Sequence, residues 1–408
     1  MKDEIQISTK HIPLRVALFI LALLVAVGSI AYGVSSIGRQ KPGYSVVDPD
    51  DDKEALLYHS GVVLNYYFDG SSGDIREQKN LLRSVYSRAL SSAYKQLDAS
   101  ACYEGINNLA TLNQNPGQTF ELSPELYGVL QDALEKTRQQ RGYSVFAGAL
   151  YAEWNSILTL SEPEEFDPLY NGEEARRIRE IAEATAELSS FSLELLDDER
   201  HLARFSIAGP YRALLEELEL DAPALDLNLL REAYELQMVA RELEAAGYRR
   251  GYLSTDSGLT LSLSEHGSGQ YVLYGSIEDK AVTAAKIPVT PGSASSLFRS
   301  FALMEGEVCF YRIDGHARHP YVPADGEYRG LLDASLVCSG EGALVEACYR
   351  NILLQTCGDE EQLERTAQEG GMTAAWTLRG DTNRLVHTSG SGEVEAASEY
   401  GFSTAAAS

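Results

Sequence analysis

Residues 319–326 form a short segment in which a titratable side chain precedes a conformationally restricted loop. His319 begins the segment, Pro320 and Pro323 fix two backbone φ angles within it, and Gly326 ends it. The pattern predicts a preorganised loop that holds an imidazole in place. An ordinary solvent turn explains the same residues, so the spacing alone does not assign chemistry to His319.

A second candidate lies at residues 346–350, near the start of a predicted helix. Glu346 puts a carboxylate where it could ligate a hard cation or simply stabilise the helix dipole, and spacing alone favours the dipole. His316 and His319 are three residues apart in a segment rich in Gly and Pro. Such a pair is more typical of a surface loop than of a metal site.

Motifs of the familiar catalytic classes are missing from the sequence. It contains no HExxH, P-loop, GxGxxG or GxSxG pattern. The five cysteines include no CxxC pair, and their odd number leaves at least one thiol without an intramolecular partner. The spacing gives no reason to predict a disulfide, and small buried core cysteines are the simpler interpretation.

The stretch from residue 225 to 258 is the one that we expect to organise a site. Asp226 lies between two leucines, and apolar residues at helical spacing then predict a helix that stops at Gly247. A short strand at 252–254 follows and ends in turn residues at 256–258. Backbone groups are free where a strand ends in a turn, so this unit is predicted to form one wall of a ligand site.

The composition indicates an acidic protein with a real core. The chain has 408 residues, a formal net charge of −26 and 44% hydrophobic residues. That length suits about two to three domains of ordinary size. Because a strongly acidic surface repels phosphate, nucleic acid is not expected as a partner.

Residues 16–38 contain no charged side chain and predict one transmembrane anchor. These 23 residues are enough to cross a hydrocarbon core of about 30 Å. A cleaved signal peptide is the alternative, but its apolar region is normally only about 7–15 residues long. A slight basic excess before the span favours a cytoplasmic N-terminus at 1–15. We therefore expect a single-pass protein of the cell membrane whose bulk is extracytoplasmic.

Beyond the anchor, we predict a linker at 39–55, an ectodomain at 56–390 and a disordered tail at 391–408, which is rich in Gly, Ser and Ala. Strands are expected in hairpins with helices between them, which is typical of the α+β class. The predicted helices are 77–97, 124–138 with Ser123 as N-cap, one within 162–187, 211–218, 229–243, 342–355 and 360–369. The predicted strands are 61–69, 252–254, 269–278, 281–288, 307–314, 331–339, 374–378 and 384–388, with a turn at 379–383 before the last.

The motifs of one known family have partial matches, in the same order, at residues 113–117, 122–126, 141–154, 225–227, 319–326 and 346–347. Over about residues 61–390 the chain therefore resembles the ApbE-type FAD:protein FMN transferase (flavinyltransferase) family. Asn113-Gln-Asn-Pro-Gly followed by Leu122-Ser-Pro-Glu-Leu is similar to the family's small polar loop and Val-Ser-Pro-Glu-Leu helix. Residues 141–154 occupy the place of its Gly-Ala-Phe-Asp-Pro-Thr segment and Trp. Leu225-Asp-Leu resembles its Leu-Asp-Leu-Gly-Gly signature.

The remaining matches lie further along the chain. Tyr234 stands at the closing Tyr of that signature. His319-x-x-x-Pro-x-x-Gly matches the family's His-Ile-Leu-Asp-Pro-x-Thr-Gly at three positions, the last of them Gly326. Glu346-Ala aligns with the Asp-Ala that opens the Asp-Ala-Leu-Ala-Thr-Ala-Leu helix.

The resemblance implies a fold and a chemistry. It implies a flavin-transferase-like, two-lobed α+β ectodomain with FAD between the lobes, in which Asp226, Tyr234, His319 and Gly326 bind the cofactor. It further implies that His319 is catalytic and that Glu346 ligates Mg²⁺. The metal would polarise the pyrophosphate, and FMN would pass to a Thr or Ser hydroxyl of a flavin-acceptor protein outside the cytoplasm.

The sequence departs from the family pattern at positions that bear on this chemistry. Asn228 and Leu229 replace the small residues after Leu-Asp-Leu, and Arg350 stands at the metal-binding Thr. An arginine there tends to replace a cation's charge rather than hold the cation. Besides FMN transfer, the alternative is a non-catalytic flavin- or partner-binding module of the same fold. An extracytoplasmic adhesion or scaffold domain without a cofactor would rest only on the acidic surface and on Arg379-Gly-Asp, which a hairpin turn explains.

Overall fold

The structure is a computed structural model that describes residues 42–50, 61–69, 75–265, 267, 269–278, 280–304, 310–319, 325–340, 342–388, 393–397 and 402–407. The predicted anchor at 16–38 lies outside these residues. Among the residues that are described, no helix is long and apolar enough to cross a membrane.

The described residues contain strands and helices along the whole length. The strands are β1 (Gly43–Val47), β2 (Val62–Phe68), β3 (Thr119–Glu121), β4 (Phe191–Asp197), β5 (Leu202–Ile207), β6 (Gly251–Thr255), β7 (Leu259–Ser262), β8 (Gln270–Ile277), β9 (Lys280–Pro288), β10 (Ala294–Phe298), β11 (Tyr311–Ile313), β12 (His316–Arg318), β13 (Leu332–Ser339), β14 (Thr373–Leu378), β15 (Asp381–His387), β16 (Glu395–Ala396) and β17 (Ser403–Ala406). The α-helices are α1 (Ile75–Leu97), α2 (Leu109–Gln114), α3 (Pro124–Arg138), α4 (Gly148–Leu158), α5 (Gly172–Ala186), α6 (Gly209–Glu217), α7 (Arg231–Ala245), α8 (Leu344–Gln355) and α9 (Glu360–Gln368).

A nine-stranded sheet organises the fold, in the order β1-β2-β6-β7-β10-β13-β14-β15-β17. Neighbouring strands are antiparallel except β15 and β17, which are parallel. Helices α1, α7 and α8 pack on one face, and the β8–β9 hairpin packs on part of the other face. Strand β13 is buried at every position because it lies between these two layers. This architecture confirms the predicted mixed α+β class.

A smaller layer joins β3, β5 and β4 to α2 and α3. Its centre is an aromatic stack, in which the ring of Phe146 lies 4.9 Å from Phe191 and 6.1 Å from Phe205. Helix α3 begins as the sequence predicts, since the Ser123 hydroxyl accepts a hydrogen bond from the Leu126 amide at 3.0 Å. Helix α4 and the β3–β5–β4 sheet were not predicted, because short apolar runs do not distinguish a strand from a buried helix.

Two boundary predictions are wrong. The predicted linker contains β1, whose residues 43–47 pair along β2. The predicted disordered tail contains β17, which pairs with β15, and Phe402 just before it is buried against Gly275. A single aromatic residue anchors a segment whose composition otherwise indicates disorder. The last hairpin turn is also shorter than predicted, because β15 starts at Asp381.

Helix α7 buries an acidic side chain against α1, and this predicts a pH-dependent stability. Glu235 is 2% exposed, its Oε1 has no hydrogen-bond partner among the described residues, and burial raises its pKa to about 8. The folded state therefore binds a proton that the unfolded chain releases near its ordinary value of 4.5. The contribution of Glu235 to stability is therefore most favourable below that value and is lost as the pH rises toward 8. Replacing Glu235 with Gln should remove this decline, which a change in pKa from 4.5 to about 8 puts at up to about 5 kcal/mol.

The measurement is chemical unfolding of wild type and Glu235→Gln across this pH range. The matched control is Glu242→Gln, an exposed position on the same helix, which should follow wild type. If the free energy of unfolding of wild type and of Glu235→Gln falls in parallel as the pH rises, the buried carboxyl does not titrate as described.

Candidate functional site

A cavity of about 490 Å³ lies on the helix-covered side of the nine-stranded sheet. Its walls come from α4, the 223–232 segment, the end of β6 with the start of β7, the end of β10, His319 and one face of α8. Ligand sites in proteins commonly enclose roughly 300–1,000 Å³. Asp226 and His319, which sequence analysis singled out, both line this cavity although they are far apart in the chain.

The wall at Asp226 is fixed from several directions. The Asn113 side chain accepts from the Leu225 amide at 2.9 Å and donates to the Leu225 carbonyl at 2.8 Å. The Asp226 amide donates to the Val145 carbonyl, and one carboxylate oxygen accepts from the Asn228 amide at 2.8 Å. Burial raises the pKa of Asp226, while the bond from Asn228 and the charge of Arg231 oppose that rise. The carboxyl is therefore a preorganised polar group in the cavity wall.

Gly148 allows α4 to start directly against this wall. A Cβ at this position would lie 2.3 Å from the Pro223 carbonyl oxygen and 2.9 Å from the Asp226 Cβ. Only glycine permits the approach, which brings Tyr151 and Asn155 of α4 to the cavity.

His319 lines the opposite part of the cavity and is 3% exposed. Its ring lies edge-on to Phe298 at 5.7 Å and to Phe301 at 5.9 Å. Burial, with a smaller effect of the Arg299 charge, holds the pKa of His319 well below its ordinary value. The imidazole is therefore neutral at physiological pH, so it can donate one hydrogen bond and accept another.

A buried ion pair anchors the strand that precedes His319. Arg318 Nε and Nη2 donate to the two oxygens of Asp167 at 2.7 and 3.0 Å. The Tyr311 hydroxyl and the Leu169 amide also donate to that carboxylate, each at 2.7 Å. Arg318 is 5% exposed and Asp167 0%. The pair joins β12 to the loop between α4 and α5, and it thereby fixes the backbone next to the cavity.

Three cavity-lining side chains hold buried polar atoms without a partner among the described residues. They are the Tyr151 hydroxyl, Gln355 Oε1 and Arg231 Nη2. Tyr151 is 6% exposed and Gln355 1%. Each of these atoms has almost no accessible surface, so they are costly unpaired groups next to the cavity and not groups that its contents contact directly.

Tyr234 and Gly326 do not line the cavity. The Tyr234 hydroxyl donates to Asp132 on α3 at 2.6 Å. Gly326 has a φ of 67° and packs against the ring of Trp154, and its carbonyl accepts from the His319 amide at 3.1 Å. The structure thus places Gly326 as a support of the His319 backbone. The loop at 320–324 between them lies outside the described residues.

Glu346 lies on the face of α8 that is turned away from the cavity. Its two oxygens are 3.1 Å from Lys136 Nζ and 3.3 Å from Arg350 Nη2. The cavity-facing residues Cys348, Asn351, Ile352 and Gln355 lie about half a turn around the helix from it. None of them is a carboxylate. In the described part of the chain, no group of three or more His, Cys, Asp or Glu side chains could hold a metal ion.

Sequence reasoning missed Arg231, Arg299, Tyr151, Gln355 and Asp167. Arg231 lies in the 225–258 stretch, five residues after Asp226, so the sequence did offer a reason to consider it as a site residue. Asp167 carried no signal, because its partner Arg318 is 151 residues away in the chain.

Three solved structures resemble this chain over most of its length. The ApbE protein from Thermotoga maritima has a TM-score of 0.56 at 12% identity, over 88% of this chain and 98% of that one. The flavin transferase ApbE from Vibrio cholerae has a TM-score of 0.53 at 12% identity, over 88% and 98%. The apo form of the Pseudomonas stutzeri flavinyl transferase ApbE has a TM-score of 0.53 at 13% identity, over 83% and 92%.

No protein-family model and no curated protein matches the sequence. At identities of 12–13% the likeness to solved structures shows the fold, and it confirms at that level the resemblance drawn from the sequence. This chain therefore has the fold of the ApbE flavin transferases.

Proposed function

We propose that this protein binds a flavin nucleotide in the cavity between Asp226 and His319, and that it acts outside the cytoplasm as a flavin-transferase-like protein. The observation that carries the proposal is that Asp226, His319 and two arginines, Arg231 and Arg299, line one cavity in a chain with the ApbE fold.

The cavity suits the chemistry of a flavin nucleotide. Its phosphates are anionic, and the guanidinium groups of Arg231 and Arg299 line the cavity. The flavin ring edge carries both N–H donors and carbonyl acceptors, and the side-chain amide of Asn155, which lines the cavity, offers a donor and an acceptor. Glu232, the other carboxylate of the wall besides Asp226, accepts a hydrogen bond from the Ser257 hydroxyl.

The residues do not fit magnesium at the position that the family resemblance implies. Both oxygens of Glu346 are paired with cations, Arg350 also donates to Glu369 at 2.5 Å, and the cavity side of α8 offers no carboxylate. A divalent ion there would have to displace two positive side chains, both of them 8% exposed. We therefore assign no step to a metal at Glu346.

FMN transfer would break the pyrophosphate bond of FAD, release AMP as the leaving group, and form a phosphoester between FMN and a Thr or Ser hydroxyl of the acceptor protein. That hydroxyl has to lose its proton. Among the cavity-lining residues, His319 is a neutral base, and it would accept the proton there. The non-catalytic alternative keeps flavin binding and lacks this step.

The test is a titration of the full-length protein with FAD, followed by flavin fluorescence, with Mg²⁺ and with EDTA in parallel. We expect the protein to bind FAD saturably, with the same affinity in the buffer with Mg²⁺ and in the buffer with EDTA. Arg231→Ala should weaken binding about tenfold, which corresponds to about 1.4 kcal/mol. Arg176→Ala, which removes an exposed arginine of α5, should change nothing. Absence of binding in both buffers would refute the proposal.

A second assay separates transfer from binding alone. The protein is incubated with FAD and a flavin-acceptor protein, and the acceptor is inspected for covalent flavin by in-gel fluorescence. A fluorescent acceptor band that disappears in His319→Ala supports transfer. FAD binding without a band supports the non-catalytic module.

A further inference from the structure

One face of β1, β2, β6 and β7 carries no charged side chain. Residues directly opposite in an antiparallel pair share a face, so the register identifies its members. Tyr44 is opposite Tyr67, Asn65 is opposite Val46 and Tyr252, and Val63 is opposite Ser254. The face continues onto β7 with Thr260 and Ser262. We call this set of nine neutral residues the tyrosine face.

On strands β1 and β2, the tyrosine face exposes apolar side chains that would ordinarily be covered. Tyr44, Val46 and Val63 are 40%, 44% and 37% exposed. The Tyr44 ring lies 5.3 Å from Tyr67 and 5.8 Å from Tyr252. Among the described residues, the β8–β9 hairpin covers this side of the sheet at β13–β15, where Tyr271 and Leu273 pack on Leu336 and its neighbours, and it extends to Leu297 of β10.

The charge of the chain restricts what can lie against this face. With a net charge of −26, most of the surface would be repelled by anionic lipid headgroups. A neutral face rich in Tyr and Val is free of that repulsion. Tyrosine is enriched where proteins meet the membrane–water interface, because its ring is apolar and its hydroxyl is polar.

The length of chain before β1 brings the face close to the predicted anchor. The uncharged stretch ends at Gly38, and Tyr44 follows six residues later. Six residues span at most about 20 Å when fully extended. Arg39 and Lys41 lie in this short connection, where basic side chains attract anionic headgroups.

We propose that the tyrosine face lies against the surface of the bilayer in which residues 16–38 are anchored. The cavity is on the other side of the sheet, since Leu259, Ser296 and Phe298 of its wall point to the helix-covered face. This orientation turns the cavity away from the lipid, toward the space in which a partner protein can reach it. The inference does not depend on what the cavity binds.

The experiment places a tryptophan on the face and measures its proximity to lipid. Full-length Tyr44→Trp and Val46→Trp variants are reconstituted in vesicles of phosphatidylcholine and phosphatidylglycerol, with and without brominated acyl chains. The two native tryptophans, Trp154 and Trp376, are 2% and 1% exposed, so their background is measured in the unsubstituted protein. The matched control is Tyr170→Trp, in a different exposed apolar patch where Tyr170 is 62% exposed.

We expect brominated lipid to reduce the emission added by Tyr44→Trp and by Val46→Trp, and to leave that added by Tyr170→Trp unchanged. If brominated lipid reduces the emission of tryptophan at position 170 and not at positions 44 and 46, the patch around Tyr170 faces the membrane and the proposal is overturned. If tryptophan at positions 44 and 46 emits equally in vesicles with and without brominated lipid, the proposal is overturned as well. Complete release of the protein from the vesicles by alkaline carbonate would also overturn it.

Discussion

Replacing Asp167 with Ala is expected to lower the free energy of unfolding by about 3–5 kcal/mol, because it leaves the buried Arg318 guanidinium without its counter-charge. The carboxylate accepts four hydrogen bonds, two of them from Arg318. Although burial opposes the charged form, these bonds hold the pKa of Asp167 below its ordinary value. Urea unfolding at neutral pH measures the loss.

The matched control is Asp325→Ala, which removes an ion pair of the same type at the surface. Asp325 is bonded to Arg329 at 2.6 Å, but the two side chains are 48% and 60% exposed. Such pairs contribute only about 0–1 kcal/mol, because water solvates both charges. Equal losses in Asp167→Ala and Asp325→Ala would show that the buried pair has no special role.

A double variant tests the cause of the effect. In Asp167→Leu with Arg318→Met both charges are gone, so the cost of an unpaired buried charge disappears. Stability should recover well above that of Asp167→Ala, since apolar replacement of a buried ion pair is often neutral. If the double variant is as unstable as the single one, lost packing and not the unpaired charge explains the result.

Elements with strong local signals were predictable from the sequence. The helix at 124–138 has a Ser N-cap, a Pro in its first turn and apolar residues at helical spacing, and the structure has it with the same bounds. The β8–β9 hairpin and β13 were found for similar reasons, as alternation or a continuous apolar run between turns. Strand β17 was missed because its Ser and Ala residues carry no strand signal, and pairing with β15 decides its conformation.

The candidate site was predictable only in part, because a cavity depends on contacts that are distant in sequence. The 225–258 stretch does form a wall, and Asp226 lies in it. His319 reaches the same cavity through β12, whose position is set by Asp167. The family resemblance made Glu346 a ligand of Mg²⁺, but the position of a residue along a helix does not say which face of the helix meets the cavity. Glu346 pairs with Lys136 of α3, and this contact could not be predicted from the sequence of α8 alone.

Gly326→Ala should destabilise the protein and disturb the cavity at the same time. A Cβ at Gly326 would lie 2.3 Å and 2.4 Å from two ring carbons of Trp154, which is 2% exposed and cannot turn aside. The left-handed φ of 67° adds a cost of about 1–2 kcal/mol for any L-residue with a side chain. Overpacking typically costs about 1–3 kcal/mol more. Because the Gly326 carbonyl accepts from the His319 amide, we also expect weaker flavin binding.

Gly315→Ala separates the two contributions. Gly315 has a comparable φ of 85° in the turn between β11 and β12, but a Cβ there would meet no atom within 4 Å. This variant should lose only the backbone contribution of about 1–2 kcal/mol and keep the flavin affinity of wild type. Urea unfolding and FAD titration of both variants measure the difference. If Gly326→Ala loses no more stability than Gly315→Ala, the Trp154 ring moves to accommodate the methyl group and overpacking does not contribute. If its flavin affinity is also unchanged, the contact between Gly326 and His319 does not support the cavity.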